Sequence, residues 1–270
     1  MGDWIRTQDL LVLHILTANR WQRPVYFAVT VSPESQLNME QYLRTDGLNY
    51  KIVTVPGNNQ ISAERLHETL FNKFQYRNLD NPDVYYDSNA KGIIQNYRIA
   101  FLRLAQHYIN ERDKEKTIQV LDKMNTTIPE HVIPMADRRV ALHISDLYRQ
   151  AGKKNEFEQR VIKITKNYPA FAHAHRLLLE FYLHENRNAE FEQHAVPLVE
   201  KHPEFNDIFS LLLRYYQQQF RYSEAADLLE NWITLNPDNI QFSELVKEFR
   251  EKAAKLKSDT AQVSDSSISR

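Results

Sequence analysis

The stretch Leu198–Asp238, LVEKHPEFNDIFSLLLRYYQQQFRYSEAADLLENWITLNPD, decides the fold. It runs from one proline-closed block, Pro203 in LVEKHPE, to the next, Pro237 in ITLNPDN. Pro169 in ITKNYPA precedes them at the same spacing of 34 residues. Pro129 in MNTTIPE closes an earlier block, 40 residues before Pro169 because EHVIPMA adds six. Counting back from each proline, the same places are refilled. Tyr108, Tyr148, Tyr182 and Tyr216 supply an aromatic, preceded by the pairs Leu104-Ala105, Ile144-Ser145, Leu178-Leu179 and Leu212-Leu213. A second helix follows with Thr117, Phe157, Phe191 and Ala225, then Leu121, Val161, Ala195 and Leu229, then Met124, Ile164, Leu198 and Trp232. Such spacing puts one apolar face on each helix of a hairpin, and neighbouring hairpins must stack to bury it.

This pattern resembles the tetratricopeptide repeat, with its period of about 34 residues, over Asn96 to Asp238. The resemblance implies a mainly α fold, an α-solenoid of four hairpins over 91–238. The glycine of the helix turn survives only as Gly152, while Arg112, Asn186 and Phe220 hold the equivalent places. Phe157 and Phe191 are large for a close helix crossing, so those two hairpins are expected to splay. Ile240 to Lys257 is amphipathic and predicts a capping helix over 239–257, and the polar run SDTAQVSDSSISR at 258–270 predicts a disordered tail.

Residues 1–90 read differently, as a small α/β module with about two strands. Thr7 to Ala18 is apolar enough for a buried helix, and Val25 to Val31 reads as a buried strand after Pro24. Leu37 to Arg44 predicts a short helix, Tyr50 to Val55 a second strand, and Ser62 to Phe74 a helix capped by Ser62. Two strands are marginal alone and must lean on helices, on the repeats or on a neighbour.

Composition narrows the function classes. The 270 residues carry 34 basic and 35 acidic side chains, so no net field draws the chain to nucleic acid. No cysteine is present, which excludes thiolate chemistry. The longest apolar run, Leu10 to Leu16, is too short to span a bilayer. Met1-Gly2-Asp3-Trp4 has no basic and apolar leader pattern, so no signal peptide is expected. The abrupt start inside a helix-forming segment suggests the end of something longer.

Catalytic and cofactor patterns are sparse. His173 and His175 lie about 200° apart on a helix and cannot chelate one ion. Asp80, Asp83 and Asp87 in LDNPDVYYD read as turn and capping residues. Five glycines form no phosphate loop, and no nucleophile motif occurs. No cofactor, metal site or catalytic residue is assigned, and an enzyme in its own right is the least favoured reading. Tyr215-Tyr216 is read as repeat packing, and Arg23 as tying a helix end to a strand.

The order of NRWQRPVYFAVTV, QYLRTDGLNYKIV and LFNKFQYRNLDNPDVYYD, then an Arg-bearing helix and the repeats, is similar to the C-terminal soluble region of bacterial protein O-mannosyltransferase-like membrane glycosyltransferases. The residues that carry it are Asn19, Arg23-Pro24, Tyr26-Phe27, Tyr42-Leu43, Gly47-Leu48, Asn72-Lys73-Phe74, Tyr85 and Asp87. Asp46, Lys51 and Pro56 depart from the pattern. The resemblance implies that catalysis belongs to a membrane portion absent from this chain. It implies a non-catalytic, extracytoplasmic interaction module for acceptor protein or complex organisation, with that membrane portion as one partner. A free-standing tetratricopeptide scaffold, cytoplasmic in that case, is the alternative. The repeats further imply a concave groove for a protein or peptide, lined by the first helix of each hairpin: Gln106, Arg139, Asp146, Arg149, His173, Arg176, Glu180, His184, Arg214 and Gln217.

Overall fold

The computed structural model describes residues 5–57, 60–236 and 242–268. The chain is mainly α, helical hairpins preceded by a small sheet, and it divides into two compact units, Met1–Arg160 and Val161–Arg270.

Unit one opens with helix α1 (Thr7–Asn19) and strands β1 (Tyr26–Ala28), β2 (Leu43–Asp46), β3 (Asn49–Ile52) and β4 (Gln60–Ile61). The sheet has the order β1-β3-β2-β4, in which β4 alone pairs parallel. The expectation of two strands is therefore corrected to four. Arg44, read as the end of a short helix, belongs to β2, and only the single turn Glu40–Tyr42 is helical there. Asp46-Gly47-Leu48-Asn49 explains the change. Gly47 takes φ +69, which lets a two-residue loop fold β2 back on β3 with Asp46 opposite Asn49. The first strand is shorter than expected and buries only Phe27, between the exposed Tyr26 and Ala28. Helix α2 (Ala63–Glu68) continues as a wider π turn over Thr69–Lys73, and the Ser62 side chain makes no capping hydrogen bond.

Helix α1 is also corrected. Of its residues only Asp9 is buried, tied to Arg6 at 3.0 Å, while Leu10, Leu11, Leu13 and Ile15 are exposed. Val12 and Leu16 lean on Phe27, Leu43 and Ile52, a core too small to cover a helix that is apolar on every side. Asn19 holds the exit: its amide donates to the Arg23 carbonyl at 2.7 Å and its oxygen accepts from the Arg23 N–H.

Helices α3 (Ser88–Asn110), α4 (Lys114–Thr127) and α5 (Arg138–Gln150) build the main core of unit one. Asp87 caps α3 by accepting from the Ala90 N–H at 2.7 Å, and Leu66 and Leu70 from the preceding segment are fully buried against Phe101 and its neighbours. Each such side chain contributes about 1.5–3 kcal/mol on burial. The six added residues before α5 wrap around Arg98, which is 1% exposed. Its guanidinium donates to the carbonyls of Ile128, Ile133 and Pro134 and to Gln95.

The 34-residue signature is explained residue by residue. Arg112, Gly152, Asn186 and Phe220 all adopt positive φ, so each first helix ends in the same left-handed turn. The N–H groups of Asp113, Lys153, Arg187 and Arg221 reach back to the carbonyls of Tyr108, Tyr148, Tyr182 and Tyr216 at 2.8–2.9 Å, closing a Schellman motif each time. A cation lies over each tyrosine ring: Lys116, Arg160, Arg187 and Arg221, at 4.8–5.3 Å. Thr117, Phe157, Phe191 and Ala225 are all completely buried.

Helix α6 (Lys154–Asn167) runs across the boundary between the two units. Unit two carries α7 (Ala172–His184), α8 (Asn188–Lys201), α9 (Asn206–Gln218), α10 (Tyr222–Leu235) and α11 (Ser243–Ile268), and α8 to α11 each pack on the helix before. Pro237 and the expected start of the last helix at Ile240 lie outside the described residues. The helix continues past Lys257 to Ile268, through a stretch in which neither proline nor glycine interrupts it, where a disordered tail was expected.

Candidate functional site

The expected groove residues belong to both units, and each group is placed by its own neighbours. In unit one, Arg139 is spent on Asp137, the N-cap of α5, and Asp146 accepts from Arg149 and Gln150 on its own helix. Arginine and aspartate so paired on an exposed face add little to stability, because water screens them. Gln106 differs. It is half-buried, donates to Asn110 at 3.0 Å, and lines a cavity of about 340 Å³.

That cavity lies between α3 and α5, with β4 at one side. Its walls hold Arg103, Gln106, His107, Asn110 and His143 over an apolar floor of Ile61, Ile99 and Leu102. A second cavity of about 140 Å³ shares Ile99 and Arg103 and adds Thr45, Tyr50 and Asn96. Arg103 donates to the Thr45 hydroxyl at 2.5 Å and to the Tyr50 hydroxyl at 3.1 Å, and its guanidinium carbon lies 5.0 Å from the Tyr50 ring centre. These residues were missed because Arg103, His107 and Asn110 come one turn apart on α3, and only the fold adds His143 and the sheet. The (i, i+4) and (i, i+3) spacing of Arg103, His107 and Asn110 was the available signal.

In unit two, Arg176 of α7 lies 3.7 Å from Glu180 and 3.8 Å from Asp207 of α9. His184 is 81% exposed and contacts Glu185, while His173 and Arg214 are exposed and Gln217 is half-buried. His173 and His175 part as expected: His175 turns inward, its Nδ1 2.9 Å from His194 Nε2 and its Nε2 3.0 Å from the Pro169 carbonyl. Burial holds both imidazoles of this pair below the ordinary histidine value, His194 to about 4. Tyr215 is structural too. Its hydroxyl donates to Glu192, which also accepts from Arg221, and burial next to Glu192 raises the phenol to about 12.

A second kind of surface lies on α1, where Leu10, Leu11, Leu13 and Ile15 face solvent; Trp21, after the helix, is exposed too. Four large apolar side chains exposed on one short helix offer a surface for a partner. Among the described residues no helix is long and apolar enough to cross a membrane. The family model described as TMEM260-associated domain 2 matches residues 2–70, the segment that contains α1, the sheet and α2. No curated protein matches the chain.

Proposed function

We propose that the chain is a non-catalytic protein-interaction module that works beside a membrane glycosyltransferase of the O-mannosyltransferase-like kind, on the extracytoplasmic face. The observation that carries this reading is the apolar helix α1, left exposed inside the segment that resembles a TMEM260-associated domain. An apolar helix in water gains about 25 cal/mol for each Å² that a partner covers. The membrane portion of the enzyme is the partner proposed for α1, and the helical hairpins hold acceptor protein or organise the complex. Tetratricopeptide-like hairpins with four matching turns also suit a free-standing cytoplasmic scaffold, which would engage its partner through the hairpins and not through α1.

The test uses the full chain with Leu10→Gln and Leu13→Gln together, two exposed positions on one face of α1. Expressed in cells, the unsubstituted chain is expected to co-purify from solubilised membranes with a multi-span glycosyltransferase, and the double variant to lose it while keeping its melting temperature. Co-purification that is unchanged by the double variant, or partners recovered only from the soluble fraction, favours the scaffold.

A further inference from the structure

We propose that the Arg103 cavity of unit one is a binding site for a small oxyanion, a phosphate monoester or carboxylate carried on a polar molecule of about sugar size. This goes beyond the interaction role and does not depend on it. Arg103 carries a permanent charge, is half-buried, and is held in place by two neutral hydroxyls, those of Thr45 and Tyr50. Among the described residues it makes no ion pair, and its side-chain hydrogen bonds go to those two hydroxyls. A guanidinium has five N–H donors, and Thr45 and Tyr50 take two of them. The remaining donors are open to an anionic ligand in the cavities that Arg103 lines.

The rest of the wall fits the same ligand. Neither cavity has an aspartate or glutamate in its lining, in a chain with 35 acidic residues. Gln106, Asn110 and Asn96 offer amides suited to hydroxyl groups, His107 and His143 offer ring nitrogens, and Ile99 and Leu102 supply an apolar floor. A mostly preformed concavity with a few convergent polar groups is the usual form of a small-molecule site. Its volume of about 340 Å³ suits one ring bearing an anionic group. Arginine is suited to such groups because its planar fork matches phosphate and carboxylate.

The experiment is isothermal titration of the full chain with glucose 6-phosphate, galacturonate, inorganic phosphate and, as the neutral control, glucose. Binding of at least one anion with a Kd of about 1 mM or tighter, and none of glucose, is expected. Glucose 6-phosphate alone assigns the source as a phosphate ester, and galacturonate alone assigns it as a carboxylate. Arg103→Gln should weaken that binding about tenfold or more. Because Arg103 also ties α3 to the sheet, His143→Glu is the second variant: it lies on an exposed position, leaves the fold intact and sets a carboxylate in the cavity. It should weaken the same anion about tenfold or more as well. No anion binding by the unsubstituted chain, or anion binding that His143→Glu leaves unchanged, overturns the proposal.

Discussion

Arg98 donates to the carbonyl of Ile128, 30 residues further along the chain, at 3.0 Å, from a position that is 1% exposed. Desolvation lowers its guanidinium to about 10, so it is still charged at neutral pH. The added residues before α5 are therefore held from the inside, by a cation serving carbonyls that have left their helix.

Arg98→Met should destabilise unit one by about 3–5 kcal/mol, because it strands the buried carbonyls of Ile128 and Ile133. Urea unfolding followed by far-UV circular dichroism measures this, and a loss below about 1 kcal/mol would mean that water replaces the guanidinium freely.

The turns make an opposite prediction. Phe220 and Arg112 are exposed non-glycine residues at φ +57 and +62. Phe220→Gly and Arg112→Gly should each stabilise by about 0.5–1 kcal/mol, since only glycine takes this conformation without strain. Gly152→Ala, with φ +91 and open space around the added carbon, should cost about 1 kcal/mol through the backbone alone. Thermal unfolding of the three variants checks the sign of each.

Stability of unit two should fall as the pH is lowered. His175 and His194 are held neutral against each other, with His202 and its partner Glu204 nearby. Their folded values lie below the unfolded one of about 6.5, so the unfolded chain binds more protons below that pH. The contribution is complete above about 6.5 and is lost progressively toward the folded value of His194, about 4. Melting temperature measured across this window should drop more steeply for the unsubstituted chain than for His194→Gln. Parallel curves would remove the pair from the account.

Leu10→Gln with Leu11→Gln should change folding stability by less than about 0.5 kcal/mol, as expected of exposed positions. Phe27→Ala, which empties the core under the sheet, should cost about 3–5 kcal/mol. Urea unfolding of the two side by side separates residues that hold the fold from residues left free for a partner.

The hairpins were legible in the sequence because their signals are local and repeated. Four tyrosines at one register, four turns and a fixed proline spacing reinforce one another, and the turn places held even where Phe220 or Arg112 replaced glycine. The N-terminal module was less legible because its pairing is non-local. Arg44 to Asp46 carries no β-branched run, and the Asp46-Gly47 turn that sends it back on Tyr50 was the signal to weigh. Helix α1 was misplaced for another reason: apolar residues show what prefers burial, and not whether this chain supplies the cover. Of the expected groove set, Gln106 reaches a cavity, while Arg139, Asp146 and Arg149 satisfy one another or their own helix ends. The partners of Arg103 lie 53 and 58 residues away, a separation that spacing along one helix cannot reveal.

The most direct measurement is site-specific photo-crosslinking from Leu13 in the full chain, in intact membranes, with Phe220 on the second unit as the comparison position. Both side chains are exposed, so neither probe disturbs the fold. The account predicts an adduct from position 13 that contains a multi-span glycosyltransferase. No adduct from position 13, with an adduct of a soluble protein from position 220, would contradict it.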